Sequence, residues 1–564
     1  MAETEATSDS PQTNNQQLNE EESEIDKVNK QNENKKLHDL LMFNTIYYIL
    51  VFVIVGLPIW FFTTSTYRAS LPFDSIDKLT ESLQKIDFKI QVELIHFNKD
   101  ISQDNLSKIR DELLRNLNKN SKQKGLVLNF DLKTRKATSD EYNSALGFRD
   151  IQTFDENIAN KNLNILNLIV LDSDLSKKYE ILDNSEFLFL NSLLLNEINI
   201  KNLEKIAEYL KKQYLHLEKI NEEYRLKLDT ERRLPSKKDL KVVNFDSEYE
   251  ITFSLINEIP EKYSNWNIDE CIRSYFLKVT DQLSQFVNFS IKAQTLLYSD
   301  FGSYSLSSYK SDNDPFFYLK QTDLSIMTNY IESRLGSRIS DSSAFEFVTY
   351  ISAKQPLYVA TNSQNPQETK SVSFMVPRWG GIYVYNPQDD NPEDSTIKVD
   401  KAMKTFLTHF ITLMGIDLNK NSKTVPRSRI YSPEIYGYLL EKTLENQLNS
   451  INTLRSLSLL LTRINSMVIE DDIAEQVKIA VESVEKSLEL GSDGRISEAF
   501  LNSKTAFISS ERAFFDKSLL EKLYFPEDQR FAIYIPLFIP VGIPLVLSIK
   551  SVMAWIKSKK EKKD

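Results

Sequence analysis

The chain carries one cysteine, Cys271, and four histidines, His38, His96, His216 and His409. A thiol within hydrogen-bond reach of an imidazole makes a nucleophilic pair, and histidines spaced along one helix face hold zinc. The zinc spacing is absent, and a nucleophilic pair would need Cys271 to meet a histidine distant in the chain. The histidines fall in four separate segments, none of the form H-E-x-x-H. Cys271 sits in Ile268-Asp269-Glu270-Cys271-Ile272, and carboxylates beside a thiol raise its pKa and blunt it as a nucleophile. One cysteine also excludes an internal disulfide framework and a cysteine-based zinc site. Two acidic clusters remain, Glu470-Asp471-Asp472 and Asp389-Asp390, the kind of pair with which glycosyltransferases hold a metal. The first precedes a helical pattern and suits N-terminal charge complementarity. The second lies among Pro and Asn in a turn. G-x-S-x-G, G-x-x-x-x-G-K-[ST] and G-x-G-x-x-G are absent. The survey names no catalytic residue, no cofactor and no metal site.

The elements that must position these residues begin with two apolar segments. Residues 40–62 (LLMFNTIYYILVFVIVGLPIWFF) and 531–549 (FAIYIPLFIPVGIPLVLSI) carry no charge. As helices they extend about 34 Å and about 28 Å, enough to cross a bilayer core. Tyr47, Tyr48, Trp60, Tyr524, Tyr534 and Trp555 lie near their ends, as interfacial aromatics do. Lys27, Lys30, Lys35 and Lys36 precede the first segment, and only Arg68 and Lys78 follow it closely. Six lysines between Lys550 and Lys563 follow the second, against Lys517, Lys522 and Arg530 before it. Both asymmetries place the tails in the cytosol and everything between the spans on the other side. The first segment follows a long polar tail and lacks a small-residue cleavage site, so it reads as an uncleaved anchor. The net charge of -11, without a basic patch in the middle, argues against nucleic acid as a partner.

This divides the chain into a cytosolic tail (1–39), whose Glu, Asn, Gln and Ser content predicts disorder, a first span (40–62), a large α/β domain (63–425), a helical region (426–530), a second span (531–549) and a basic tail (550–564). In the α/β part, residues 88–94 alternate apolar and polar as a half-buried strand does, and residues 249–255 alternate again. Residues 163–171 read as a more buried strand. Residues 107–117 have helical spacing, residues 198–224 read as one long amphipathic helix, 268–286 as a helix, and 371–385 as β-rich. The fold class is therefore a mixed sheet with helices, followed by a helical bundle. In that bundle Gly491 and Gly494 mark a turn. No internal sequence repeat is evident.

Smaller features carry specific expectations. Sequons at Asn105 and Asn288 lie in the non-cytosolic part and are N-glycosylation acceptors there. Asn288 opens a β-like run, and Asn105 opens a helix, where it also suits a cap. Pro377-Arg378-Trp379-Gly380-Gly381 marks a strand start or a sheet edge with close backbone approach, and Arg378 and Trp379 are the residue types that anchor partners. Pro536, Pro540 and Pro544 recur every four residues on one face of the second span. Each leaves a helical carbonyl unpaired, which disfavours contact with acyl chains and favours contact with protein or a polar lipid part. Lys562 and Lys560 stand third and fifth from the carboxyl end, with the spacing of a dilysine retrieval address to the endoplasmic reticulum; the bland reading is a basic membrane flank.

The segments Gly56-Leu57-Pro58-Ile59-Trp60, Thr63-Thr64 and Tyr67-Arg68-Ala69-Ser70-Leu71-Pro72 resemble the N-terminal signature of the PIG-S family. So do Tyr249 to Asn257 (YEITFSLIN), Asn288-Phe289-Ser290, Glu332-Ser333-Arg334-Leu335-Gly336-Ser337, Pro377 to Ile382 and Ala513-Phe514-Phe515-Asp516. The stretch Tyr524-Phe525-Pro526-Glu527-Asp528-Gln529 running into Phe531-Ala532-Ile533-Tyr534-Ile535-Pro536 is the most specific. Residues 99–244 carry no matching motif. The resemblance implies a subunit of the glycosylphosphatidylinositol (GPI) transamidase of the endoplasmic reticulum membrane, which cuts a precursor near its C-terminal signal and attaches a GPI lipid. It implies a non-catalytic scaffold, with the catalytic cysteine and histidine in a separate caspase-like subunit. The partners it implies are the other transamidase subunits, membrane lipids and the GPI lipid itself. Competing classes are an independent luminal glycosyltransferase-like enzyme, which requires an acidic pair in a pocket, and a membrane tether, which requires recognition motifs in the tails.

Overall fold

The computed structural model describes residues 13–56, 58–59, 62, 67–97, 103–119, 122–123, 125–147, 162–171, 189–191, 200–228, 248–263, 265–299, 306–309, 315–335, 343–360, 365–386, 396–416, 429–464, 467–521 and 527–560. They group into two units, one of residues 71–460 with 472–514, the other of residues 1–70, 461–471 and 515–564.

The larger unit is built on two five-stranded sheets. The first contains β1 (Ile86–His96), β2 (Lys122–Gln123), β3 (Leu126–Lys136), β4 (Ile165–Leu171) and β5 (Phe189–Asn191), in the order β2-β3-β1-β4-β5. All are parallel except β2. Strand β1 alternates as its sequence predicts, burying Phe88, Ile90, Val92 and Leu94 while Lys89, Gln91 and Glu93 stay half-buried. The helix Gln103–Asn118 connects it to β3 and buries Leu106, Ile109, Leu113 and Leu117.

After β6 (Glu248–Asn257), β7 (Asn265–Trp266), β8 (Asn288–Leu297), β9 (Ser307–Tyr309), β10 (Phe316–Lys320), β11 (Ser343–Ile351), β12 (Leu357–Ala360), β13 (Lys370–Ser371), β14 (Ser373–Val376), β15 (Gly380–Val384) and β16 (Thr396–Ile397), the second sheet runs β14-β15-β11-β6-β8. Its long strands are again parallel, with only β14 reversed. The parallel strands β8-β6-β11-β15 repeat the order of β3-β1-β4-β5: first strand central, second on one side, third and fourth on the other. The unit thus contains the same winding twice, although the two copies share no visible sequence repeat.

Strand β6 differs from its half-buried expectation, because Tyr249 to Asn257 are all buried. A parallel sheet has both faces covered. On one face Phe253 meets Phe276 and Phe347 at ring separations of 4.7 and 5.7 Å, and Phe410 reaches Phe345 at 5.1 Å. On the other, Ile256, Val348, Ile382 and Val384 pack with Met327 and Ile331 and with Leu319, Leu357 and Val359 of the four-stranded sheet β13-β12-β10-β9. Alternation of polar residues here therefore reflects buried Glu250, Thr252 and Ser254 rather than solvent.

The helix Ser432–Arg463 is buried on every side over its first turns. Its polar residues pair inside: Lys219 with Glu441 at 2.5 Å, Lys442 with Glu445 at 2.7 Å, and Gln447 Nε2 donating to Ser487 Oγ at 2.8 Å. Helices Asp471–Asp493 and Ile496–Phe514 flank it. Gly491 lies inside the first of these rather than in the turn, since an added Cβ would stand 2.8 Å from the Phe88 ring. Gly494, at φ 83°, makes the turn. Residues 198–224 form no single helix. Helix Ile200–Tyr209 passes into a π-helical turn, Leu210–Tyr214, and His216 at φ 44° separates it from helix Leu217–Leu228. The wider turn resets the face so that Leu210, Leu215, Leu217, Ile220 and Tyr224 are all buried.

In the smaller unit, helix Thr13–Val51 continues as a π-helical turn, Phe52–Gly56. The polar segment read as disordered is thus helical from Thr13. An apolar helix already supplies the costly nucleus, and Glu, Gln and Lys extend it at little cost. Residues Asn32–Gly56 are long and apolar enough to cross a membrane. Helix Glu527–Lys560 carries Pro536, Pro540 and Pro544 in its interior.

Candidate functional site

An open parallel sheet offers a binding crevice beyond the carboxyl ends of its strands, at the point where the winding reverses. In the second sheet that point lies between β6 and β11. It is filled. Glu258, directly after β6, accepts from the Tyr350 hydroxyl and from the Ala353 backbone N–H at 2.7 Å. Asn257 donates to the Tyr263 carbonyl at 2.7 Å and accepts from the Ile259 N–H at 2.9 Å. In the first sheet the equivalent point, between β1 and β4, is bridged by Phe97 N–H donating to the Val170 carbonyl at 2.9 Å. Beside it Arg135 is held by Glu93 at 3.0 Å and Glu141 at 2.8 Å, a closed ion network.

Cys271 lies buried in the helical run that starts at Ile268. Burial, then the neighbouring Asp400 carboxylate and Glu270, push its thiol up to about 12. Asp400 in turn accepts from Tyr275 and Asn267, each at 3.3 Å. This is the inverse of a nucleophile's setting, where cationic neighbours draw the pKa down. No histidine is among the partners that shift it.

The histidines stay apart. His38 is exposed in the first helix, His96 is buried at the end of β1, and His216 sits at its left-handed turn. His409 points Nδ1 at Gly381, where an added Cβ would stand 2.3 Å away. Burial lowers its pKa to about 4. That nitrogen has no hydrogen-bond partner among the described residues, so His409 is a packed rather than a satisfied core histidine. Sequence reasoning had no signal for this, because Gly381 is remote in the chain.

Of the acidic clusters, Asp471 opens helix Asp471–Asp493 and accepts from the Tyr67 hydroxyl at 2.7 Å. Arg68 beside it donates to the Leu461 carbonyl at 2.7 Å. Tyr67 and Arg68 thus hold the segment 461–471 within the smaller unit. Asp389 and Asp390 lie outside the described residues. Among the described residues no three His, Cys, Asp or Glu side chains are grouped to hold a metal.

The sequon residue Asn288 is exposed and begins β8; Asn105 is exposed in the first turn of its helix rather than ahead of it. Pro377 and Arg378 form the turn between β14 and β15, with Arg378 at φ 61° and Trp379 N–H donating to the Val376 carbonyl at 3.2 Å. Arg378 is exposed and Trp379 half-buried against the second sheet's core. Gly380 fits only because it lacks a Cβ, which would fall 1.7 Å from the Glu346 carbonyl. Strand β15 is therefore interior, and the edge is β14. Pro536, Pro540 and Pro544 are all exposed, as is Lys560 at the helix end; Lys562 lies outside the described residues.

Comparison with known proteins follows the same course. A family model described as Phosphatidylinositol-glycan biosynthesis class S protein matches residues 47–559. A Homo sapiens protein named GPI-anchor transamidase component PIGS is 30% identical over 567 residues, covering 91% of this chain and 96% of the relative. Its Bos taurus counterpart is 29% identical with the same coverage. A Saccharomyces cerevisiae protein named GPI transamidase component GPI17 is 21% identical over 92% of each chain. Matched from residue 47 to residue 559, nearly its whole length, the chain belongs to the PIG-S family.

Proposed function

We propose that the chain is a non-catalytic scaffold subunit of the GPI transamidase, in which another, caspase-like chain supplies the cysteine and histidine. The observation that carries this is Cys271. The one thiol available is buried, bonded to a carboxylate and held protonated near neutral pH, so it has no thiolate with which to attack a peptide carbonyl.

Its place is the endoplasmic reticulum membrane, with helix Glu527–Lys560 as a second span, both termini cytosolic and the strand-rich unit luminal. Support comes from the lysine asymmetry and from the contact between the two terminal helices, where Phe43 and Trp555 meet edge to face at 5.4 Å. Antiparallel helices that touch at the chain-end side of each form a hairpin with both ends on one face of the bilayer. In this reading Asn288 and Asn105 are accessible to glycosylation, and Arg378 and Trp379 project from the luminal unit toward a partner subunit. Pro536, Pro540 and Pro544 face other membrane subunits or polar parts of a lipid.

Affinity purification in mild detergent tests the assignment. Wild type and Cys271→Ala are expected to recover a caspase-like subunit alike and to support equal transamidation. Failure of the wild type to recover that subunit refutes the scaffold role, and loss of turnover in a normally assembled Cys271→Ala complex puts chemistry in this chain.

A further inference from the structure

A sheet ends in rows of unpaired backbone N–H and C=O groups, and folded proteins keep such edges short, charged or covered. Most edges here obey. Strand β2 has two residues, β5 three, β9 three, β13 two and β14 four. Strand β8 has ten. It contains no Pro or Gly and keeps unbroken register with β6 from Asn288 to Leu297. Its side chains pair with those of β6. Phe289 stacks on Tyr249 at 6.2 Å, Lys292 pairs with Glu250 at 2.7 Å, and Gln294 Nε2 donates to Ser254 Oγ at 2.9 Å. Among the described residues no strand pairs with its outer side. The duplicated winding supplies a comparison, since the equivalent strand β3 carries an antiparallel strand, β2, on the corresponding side.

We propose that β8 is a docking edge on which an extended segment of another transamidase subunit adds as an antiparallel strand. This rests on the reading of the chain as a transamidase subunit. Strand addition draws its affinity from main-chain hydrogen bonds, and a strand already fixed by cross-strand partners loses little entropy on pairing. Ten residues extend about 33 Å, long enough for a continuous ladder. A second copy of this chain is the poorer occupant, because two-fold antiparallel self-pairing sets Lys292 near its own image, and like charges facing across strands repel.

Hydrogen exchange on the full chain, alone in detergent and in the assembled complex, decides the matter. The β8 amides that do not bond to β6 are expected to exchange fast in the isolated chain and at least about tenfold slower in the complex. Slow exchange in the isolated chain, or equally fast exchange in both, overturns the proposal while leaving the subunit assignment intact. Failure to assemble at all would instead count against that assignment. Photo-crosslinkers at the exposed Ala293 and Leu297 are expected to mark one partner segment in reversed order. Crosslinking to a second copy of this chain refutes the choice of occupant.

Discussion

Trp555 donates its indole N–H to the Asp39 carboxylate at 2.7 Å, although 516 residues separate them. Lys559 completes the clasp, with its ammonium 3.6 Å from Asp39 and 4.1 Å above the Trp555 ring. An aromatic face and a carboxylate together hold a cation more firmly than either alone. If the clasp joins the cytosolic ends of two spans, protease added to sealed microsomes should remove epitope tags from both termini and leave the intervening body intact. Protection of the N-terminal tag would sink the hairpin topology.

His409 is expected to make the larger unit acid-sensitive. Its folded pKa, about 4, lies below the ordinary 6.5, so the unfolded chain binds a proton first as pH falls. The stability is complete above pH 6.5 and lost progressively down to about pH 4, roughly 3 kcal/mol in all. Thermal melts of wild type and His409→Gln across that window should converge at low pH. Parallel slopes would show that other groups set the acid limb.

Gly380 and Trp379 are neighbours with different jobs. Gly380→Ala drives a methyl into the Glu346 backbone, and a loss of about 3 kcal/mol or more is expected, read as a lowered melting temperature of the purified chain. Trp379→Ala should keep the fold and weaken recovery of partner subunits. Unfolding of the Trp379 variant would assign that residue to packing alone.

The Lys219–Glu441 pair is nearly enclosed, with Glu441 4% exposed. Lys219→Met strands a buried carboxylate and should cost about 3–5 kcal/mol, whereas Lys219→Met with Glu441→Met should recover most of it. Denaturant melts of the two single variants and the double complete the cycle; additive losses would mean that the charges do not depend on each other.

The proline face of the second helix is exposed at Pro536, Pro540 and Pro544, and the Ser548 hydroxyl donates to the Pro544 carbonyl at 2.7 Å. Photo-crosslinkers at Pro540 and Ile535, about 140° apart round the helix, should differ in yield to other membrane subunits, with 540 the stronger. Equal yields, or full activity with all three prolines replaced by leucine, would refute the assignment.

Local chemistry was legible in the sequence. Uncharged length exposed the apolar helices, period-two alternation found β1, three-and-four spacing found helix Gln103–Asn118, and the neighbouring Glu270 already pointed to a raised Cys271 thiol. These depend on near neighbours, which the sequence records directly. Tertiary structure alone decided the rest. Asp400, the carboxylate that most raises Cys271 after burial, lies more than a hundred positions away. Burial of both faces hid β6 behind an alternation that looked half-solvated. The left-handed His216 broke a helix that the apolar pattern had run together. The doubled winding and the long open edge of β8 are properties of strand order, and order depends on which strands meet in space, which apolar periodicity constrains only to the level of a buried face.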